Sequence, residues 1–294
     1  MNHKRQYSIF IAVILIIFFV SHAIPQSVEF KAPPLDTATP WTDRPFKNDP
    51  DHFQFAIVAD RTGNARPGVF EKAMQQLNLL QPEFVICIGD LIEGNTFDYA
   101  TLITQYDEMD EILNSLEMRF FRVVGNHDIS NDVIMDIYHE LYTLPYYHFV
   151  YKNVLFLIIS TEDPPPTHIS NAQINYMEKA LKENNSVRWT LVFMHKPLFI
   201  EQQGELNEGW AKIENALENR PHTLFAGHTH MYAKYKKNGQ SYINLATTGG
   251  VSNLSGIEAG KFDHIMWITM TDQGPKMVNL LLDGIIDENI RAMK

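Results

Sequence analysis

The chain has 294 residues, 45% of them hydrophobic, and a formal net charge of −11. That is enough apolar material for one large core or two small ones. The acidity and the sparseness of basic patches leave no nucleic-acid-binding surface evident. The single cysteine, Cys87, excludes an intrachain disulfide and a thiolate zinc site.

The first predicted element is an export signal. Lys4 and Arg5 precede an unbroken apolar run at residues 9–20, and Ser21 and Ala23 supply small residues where a signal peptidase reads. The run is shorter than the roughly 20 residues of a transmembrane helix. Residues 1–23 are therefore expected to be a signal peptide, with an uncleaved N-terminal membrane anchor as the alternative. The rest is expected to be extracytoplasmic, either periplasmic or secreted. Residues 24–52 hold Pro25, Pro33, Pro34, Pro40, Pro45 and Pro50 and read as an extended lead-in.

Residues 53–294 read as one domain in which strand and helix patterns alternate. Residues 53–59 form an apolar strand, and 69–80 a helix that stops before Pro82. Strand 84–88 is followed by an amphipathic helix at 98–116, with Leu102, Tyr106, Met109 and Leu113 on one side. After strand 120–124, Asn131 caps a helix at 131–141. Strands 147–150 and 154–160 flank Lys152-Asn153, a hairpin turn. The stretch 162–168 carries Pro164, Pro165 and Pro166 and has no regular structure. Helices at 172–183 and 209–217 alternate with strands at 190–193 and 223–226. The tail adds strands at 242–247, 264–271 and 277–282, with Gly274-Pro275 turning the last pair. The strands fall in two groups, so two mixed sheets flanked by helices would bury them all.

The junctions after these strands carry the chemistry. They are Asp60-Arg61-Thr62-Gly63, Gly89-Asp90, Gly125-Asn126-His127-Asp128, Met194-His195 and Gly227-His228-Thr229-His230. A β/α chain gathers the ends of successive strands on one rim. Asp, Asn and His gathered there suit transition-metal ions such as manganese, iron or zinc. Two such ions about 3.5–4 Å apart would generate a nucleophile and neutralise phosphoryl charge. His228 and His230, two residues apart, are expected on one side of an extended segment.

In their order and spacing these segments resemble the signature of the calcineurin-like metallophosphoesterases, in a bacterial, exported form with a D-R-T-G variant of the first motif. The resemblance implies an α/β fold, a four-layer αββα sandwich, and hydrolysis of phosphoesters at a one- or two-metal centre. It implies Asp60, Asp90 and His230 around a first metal and Asn126, His195 and His228 around a second, with Asp90 between them. It makes His127 the acid near the leaving group and Asp128 the residue that orients it.

The histidine that the resemblance places two residues after Asp60 is Thr62 here. Three readings stay open: a weakly held first metal, another residue filling the gap, or a one-metal enzyme. Arg61 is read either as a phosphate contact or as a salt-bridge partner. The implied partner is a small phosphorylated substrate or a phosphoprotein. Monoester and diester hydrolysis both fit, as does a catalytically impaired phosphoryl-binding protein. Thr247-Thr248-Gly249-Gly250 is a loop that could border the site, and Asp263-His264 could support it. His52, His139, His148, His168 and His222 lack such context.

Overall fold

The computed structural model describes residue 44 and residues 46–285. The expected export signal and most of the proline-rich lead-in lie outside the described residues. Among those described, no helix is long and apolar enough to cross a membrane. One compact unit begins at Asp49.

Its order is β1 (Phe53–Val58), α1 (Val69–Leu80), β2 (Phe84–Cys87), α2 (Tyr99–Leu113), β3 (Arg119–Phe121), α3 (Asp132–Tyr142), β4 (Tyr147–Tyr151) and β5 (Val154–Ile159). There follow α4 (Asn171–Glu183), β6 (Trp189–Met194), α5 (Glu208–Ala216), β7 (His222–Ala226), β8 (Ala233–Lys237), β9 (Gln240–Asn244), β10 (His264–Thr271) and β11 (Gly274–Leu281). One sheet has the order β11-β10-β1-β2-β3, the other β4-β5-β6-β7-β9-β8. β1, β2 and β3 run parallel, as do β5, β6, β7 and β9, while β10, β11, β4 and β8 enter through the antiparallel pairs β1–β10, β10–β11, β4–β5 and β8–β9.

β5 shows how the layers stack. All six of its residues are buried, because both faces of the strand are covered. Val154, Phe156 and Ile158 point into the core between the sheets, whereas Leu155, Leu157 and Ile159 pack under α4 and α5. This is the period-two alternation of a strand covered on both sides. Between the sheets the contact is aromatic: Phe156 lies 5.6 Å from both Phe55 and Phe84 across the interface. The outer face of the first sheet is covered by Phe70, Met74 and Leu77 of α1 and by Leu102 and Met109 of α2. The result is an αββα sandwich.

Local chemistry sets the helix starts. The side chains of Asp98, Asn131, Ser170 and Asn207 each accept from a backbone N–H in the first turn of α2, α3, α4 and α5. Two sequence readings need correction. Gly274 and Pro275 lie within β11, paired with Thr271 and Met270, so the turn is Asp272-Gln273. Proline is tolerated there because β11 is an edge strand. β8 was not expected: its sequence Ala-Lys-Tyr-Lys-Lys is almost wholly exposed at the other sheet's edge and has no apolar alternation to reveal it.

Candidate metal centre

The functional side chains follow the carboxyl ends of β1, β2, β3, β6 and β7, all parallel strands whose ends share one rim. Two groups of ligand atoms converge there. Asp60, Asp90 and His230 form one, and Asp90, His195 and His228 the other. Asp90 belongs to both. Asn126 joins the second, its Oδ1 3.0 Å from His195 Nε2. Thus all six residues expected to hold metal meet in one place.

Backbone contacts aim each ligand. Asp60 Oδ1 accepts from the His228 N–H at 2.9 Å. Its carbonyl is gripped by the Thr247 hydroxyl and by the N–H groups of Thr248 and Gly250. Asp90 Oδ1 accepts from the His127 N–H at 2.9 Å, which leaves Oδ2 3.1 Å from His195 Nε2. His195 Nδ1–H donates to the Ile88 carbonyl, and His230 Nδ1–H to that of Val251. Such bonds fix the tautomer and leave Nε2 as the metal-facing atom. His228 and His230 do not lie on an extended segment. Both adopt left-handed backbone, as does Asp90, with φ of 69°, 52° and 56°. The turn aims one imidazole at each group, the outcome expected from spacing but reached by different geometry. Gly125 is forced by close approach, since a Cβ there would sit 2.2 Å from Asp90 Oδ1.

The donor set fits a cation. Asp60 is fully buried, and its Oδ2 has no hydrogen-bond partner. An unpaired buried carboxylate oxygen is costly without a positive charge beside it. Burial works against charge on His195, yet Asp90 and Asp60 push it up to about 10. Burial also opposes ionisation of Asp90, which His195 nevertheless holds at about 2. His228 is pushed down to about 4 by burial and by its neighbour His195. The two carboxylates thus draw cationic charge to the centre, where the three imidazoles are donors that suit transition metals better than calcium.

Asp128 is placed differently from the expectation. Its buried carboxylate accepts from the N–H groups of Asp90, Gly125, Leu91 and Ile92, at 2.8 to 3.2 Å. Burial, and then the charge of Asp90, push it up to about 6. It clamps the Asp90 loop. The His127 ring is oriented instead by the Glu93 carbonyl, 2.7 Å from Nδ1, with the Asn95 amide also within 3.0 Å. Glu93 was missed by sequence reasoning. Its carboxylate also accepts from the N–H groups of Asn64 and Ala65 and so ties the first motif to the second. Burial opposes its ionisation, but the Thr62 hydroxyl and these N–H groups lower its pKa overall. Its three-residue offset from Asp90 was the only available signal.

Arg61 has a third role, beyond the two expected: its Nη1 donates to the Leu91 carbonyl at 2.9 Å, bracing the same pair of loops. Thr62 is fully buried, and its N–H and that of Arg61 both donate to the Asp90 carbonyl. The Thr247–Gly250 loop does border the site. Asp263 supports it through a bidentate pair with Arg66, whose Nε donates to the Gly250 carbonyl. Two clefts open from the centre and share Asn126, His228 and Thr229. One, of about 480 Å³, holds His127, His230 and Lys261; the other, of about 580 Å³, is walled by Thr167, Lys196 and Ile200.

Two facing sheets between helical layers, with a shared-carboxylate cluster at the strand ends, define the calcineurin-like sandwich class. The chain matches the family described as Calcineurin-like phosphoesterase over residues 52–232, more than half its length, and belongs to that family. Its fold is similar to that of purple acid phosphatase PPD1 from yellow lupin seeds, at 16% identity and a TM-score of 0.60, covering 80% of this chain and 52% of that one. A dimetal phosphatase from Danio rerio gives 13% identity and a TM-score of 0.55, covering 78% and 99%. GAP50, the anchor in the inner membrane complex of Plasmodium, gives 13% and 0.58, covering 80% and 86%. No curated protein matches the sequence.

Proposed function

We propose that this protein is a metal-dependent phosphoric ester hydrolase that acts outside the cytoplasm on a small phosphorylated substrate. The observation that carries the reading is Asp90, a buried carboxylate common to two ligand groups. Divalent ions held by Asp60, Asp90 and His230 and by Asp90, Asn126, His195 and His228 would supply a nucleophilic hydroxide and neutralise phosphoryl charge.

The chain's own residues supply the rest. His127 lines the smaller cleft, with Nδ1 anchored on the Glu93 carbonyl. That anchor leaves Nε2 to carry a proton to the leaving oxygen. Asp128 and Arg61 hold the Asp90 loop in register, so the carboxylate keeps its place between the groups. The larger cleft mixes polar and apolar walls and suits the organic part of a small substrate. The export reading rests on residues 1–23. N-terminal sequencing of the mature protein tests it: a start near Ile24 supports cleavage, and an intact Met1 on membrane-bound protein supports the anchor.

The test of function is metal analysis of the purified protein with hydrolysis of a chromogenic phosphomonoester and phosphodiester, for wild type and Asp90→Ala. Turnover should need metal and vanish in Asp90→Ala, while circular dichroism stays unchanged. Wild-type turnover in the folded variant, or none in metal-loaded wild type, would refute the proposal.

A further inference from the structure

Lys261 is a half-buried lysine in the wall of the smaller cleft. It is the only Lys or Arg side chain among the residues that line this cleft. Among the described residues its ammonium has no hydrogen-bond or ion-pair partner. The other cations nearby are committed. Lys196, in the larger cleft, pairs with buried Glu162 at 2.8 Å and bonds the Thr167 hydroxyl, and Arg61 is tied to the Leu91 carbonyl.

The backbone that carries Lys261 is fixed on every side. Its N–H and carbonyl exchange bonds with Gly256, closing the short loop around the 3-10 turn Ile257–Ala259. The Gly260 carbonyl accepts from the Tyr232 N–H at 2.7 Å, two residues past the ligand His230. A Cβ at Gly260 would lie 2.5 Å from the Tyr232 carbonyl, so only glycine permits this approach. On the other side Phe262 is buried, 5.8 Å from the Tyr232 ring, and Asp263 is locked to Arg66. A lysine on a well-braced loop in the cleft wall, with no protein partner for its ammonium, is free to meet an anion that enters the cleft.

We infer that Lys261 is a specificity-determining residue that binds a non-bridging phosphoryl oxygen of a dianionic phosphomonoester. This rests on the phosphoester reading of the same centre and narrows it to monoesters. A monoester at neutral pH carries a second negative charge on a terminal oxygen, whereas a diester replaces that oxygen with an uncharged ester link. An ammonium at the rim recognises the first and gains much less from the second.

The test compares wild type, Lys261→Met and Lys261→Arg, all metal-loaded, on nitrophenyl phosphate and bis-nitrophenyl phosphate. The dissociation constant of orthophosphate is measured by calorimetry alongside. Wild type should favour the monoester. Lys261→Met should lose about tenfold to a hundredfold in monoester kcat/KM, mainly through KM, and as much in orthophosphate affinity, the range for one charged hydrogen bond. The diester should change less than about threefold, and Lys261→Arg should recover most of the loss. Equal losses on both esters, unchanged orthophosphate affinity, or a wild type that prefers the diester would overturn the inference. If wild type hydrolyses neither ester, the parent reading fails, and the orthophosphate comparison alone still decides the role of Lys261.

Discussion

His264 offers a sharp test of how the site is supported. The side chain is fully buried; its Nδ1–H donates to Asn279 Oδ1, and Nε2 accepts the Ala246 N–H. Burial pushes its pKa down to about 4, against opposing pulls from the Asn279 side chain and the charges of Asp263 and Asp60. The folded protein therefore holds a neutral ring, while the unfolded chain titrates near the ordinary value of about 6.5. Above that value neither state binds the proton, and the full stabilisation is present. As pH falls from about 6.5 to about 4, the unfolded chain takes up a proton that the folded one refuses, so stability is lost across that window and no further below it. A shift of this size corresponds to about 3 kcal/mol. Replacement by glutamine keeps an acceptor for the Ala246 N–H and removes the titration. Urea denaturation at several pH values should show His264→Gln less stable than wild type at pH 7.5, with the gap closing by about 3 kcal/mol toward pH 4. A gap that stays constant would show that the ring does not resist protonation and would refute the reasoning.

His127→Ala should lower kcat by about 10²–10⁴-fold with bound metal nearly unchanged, and less with a good leaving group such as nitrophenolate; equal losses on good and poor leaving groups would remove the acid role. Asp128→Asn turns half of a four-bond acceptor into a donor facing N–H groups. Metal retention and activity should fall together, with the leaving-group dependence intact; loss only on poor leaving groups would return Asp128 to the role of orienting His127. Thr62 leaves the first ligand group with one imidazole against two in the second, so calorimetric titration with zinc or manganese should show two steps. Thr62→His should tighten the weaker one, and two equally tight ions in wild type would point to a ligand not yet identified.

The site's junctions were legible because each follows an apolar strand run, a pattern that survives without coordinates. The family resemblance then singled out Asp60, Asp90, Asn126, His195, His228 and His230 within those junctions. Their supports were not. Glu93 acts on His127 through its main-chain carbonyl, and no residue type advertises a carbonyl. Asp128 follows His127 in sequence, which suggests a side-chain pair, yet its carboxylate turns back to four backbone donors. The fold divides along the same line. Buried two-sided strands such as β5 announce themselves by continuous apolar residues, whereas the lysine-rich edge strand β8 has no such run.

The centre is held in a conformation that its own residues do not favour. Asp90, His228 and His230 lie in left-handed backbone, which costs of the order of 1–3 kcal/mol for each such residue. Asp60 keeps a buried carboxylate oxygen without a donor. Neither would persist on a free loop. Here each is over-determined: the Asp90 loop by Asp128 and by the N–H groups of Arg61 and Thr62, and the histidine turn by Asp60 Oδ1 and by Asn244, which bonds Thr229 and the Met231 carbonyl. These clamps lie at or beyond the ends of strands β1, β3, β7 and β9, whose apolar side chains pack into the close-packed cores. The sandwich core therefore does more than stabilise the fold. It bears the conformational strain and the repulsion between Asp60 and Asp90, so that the ligands are already in place when cations arrive and little reorganisation opposes their binding.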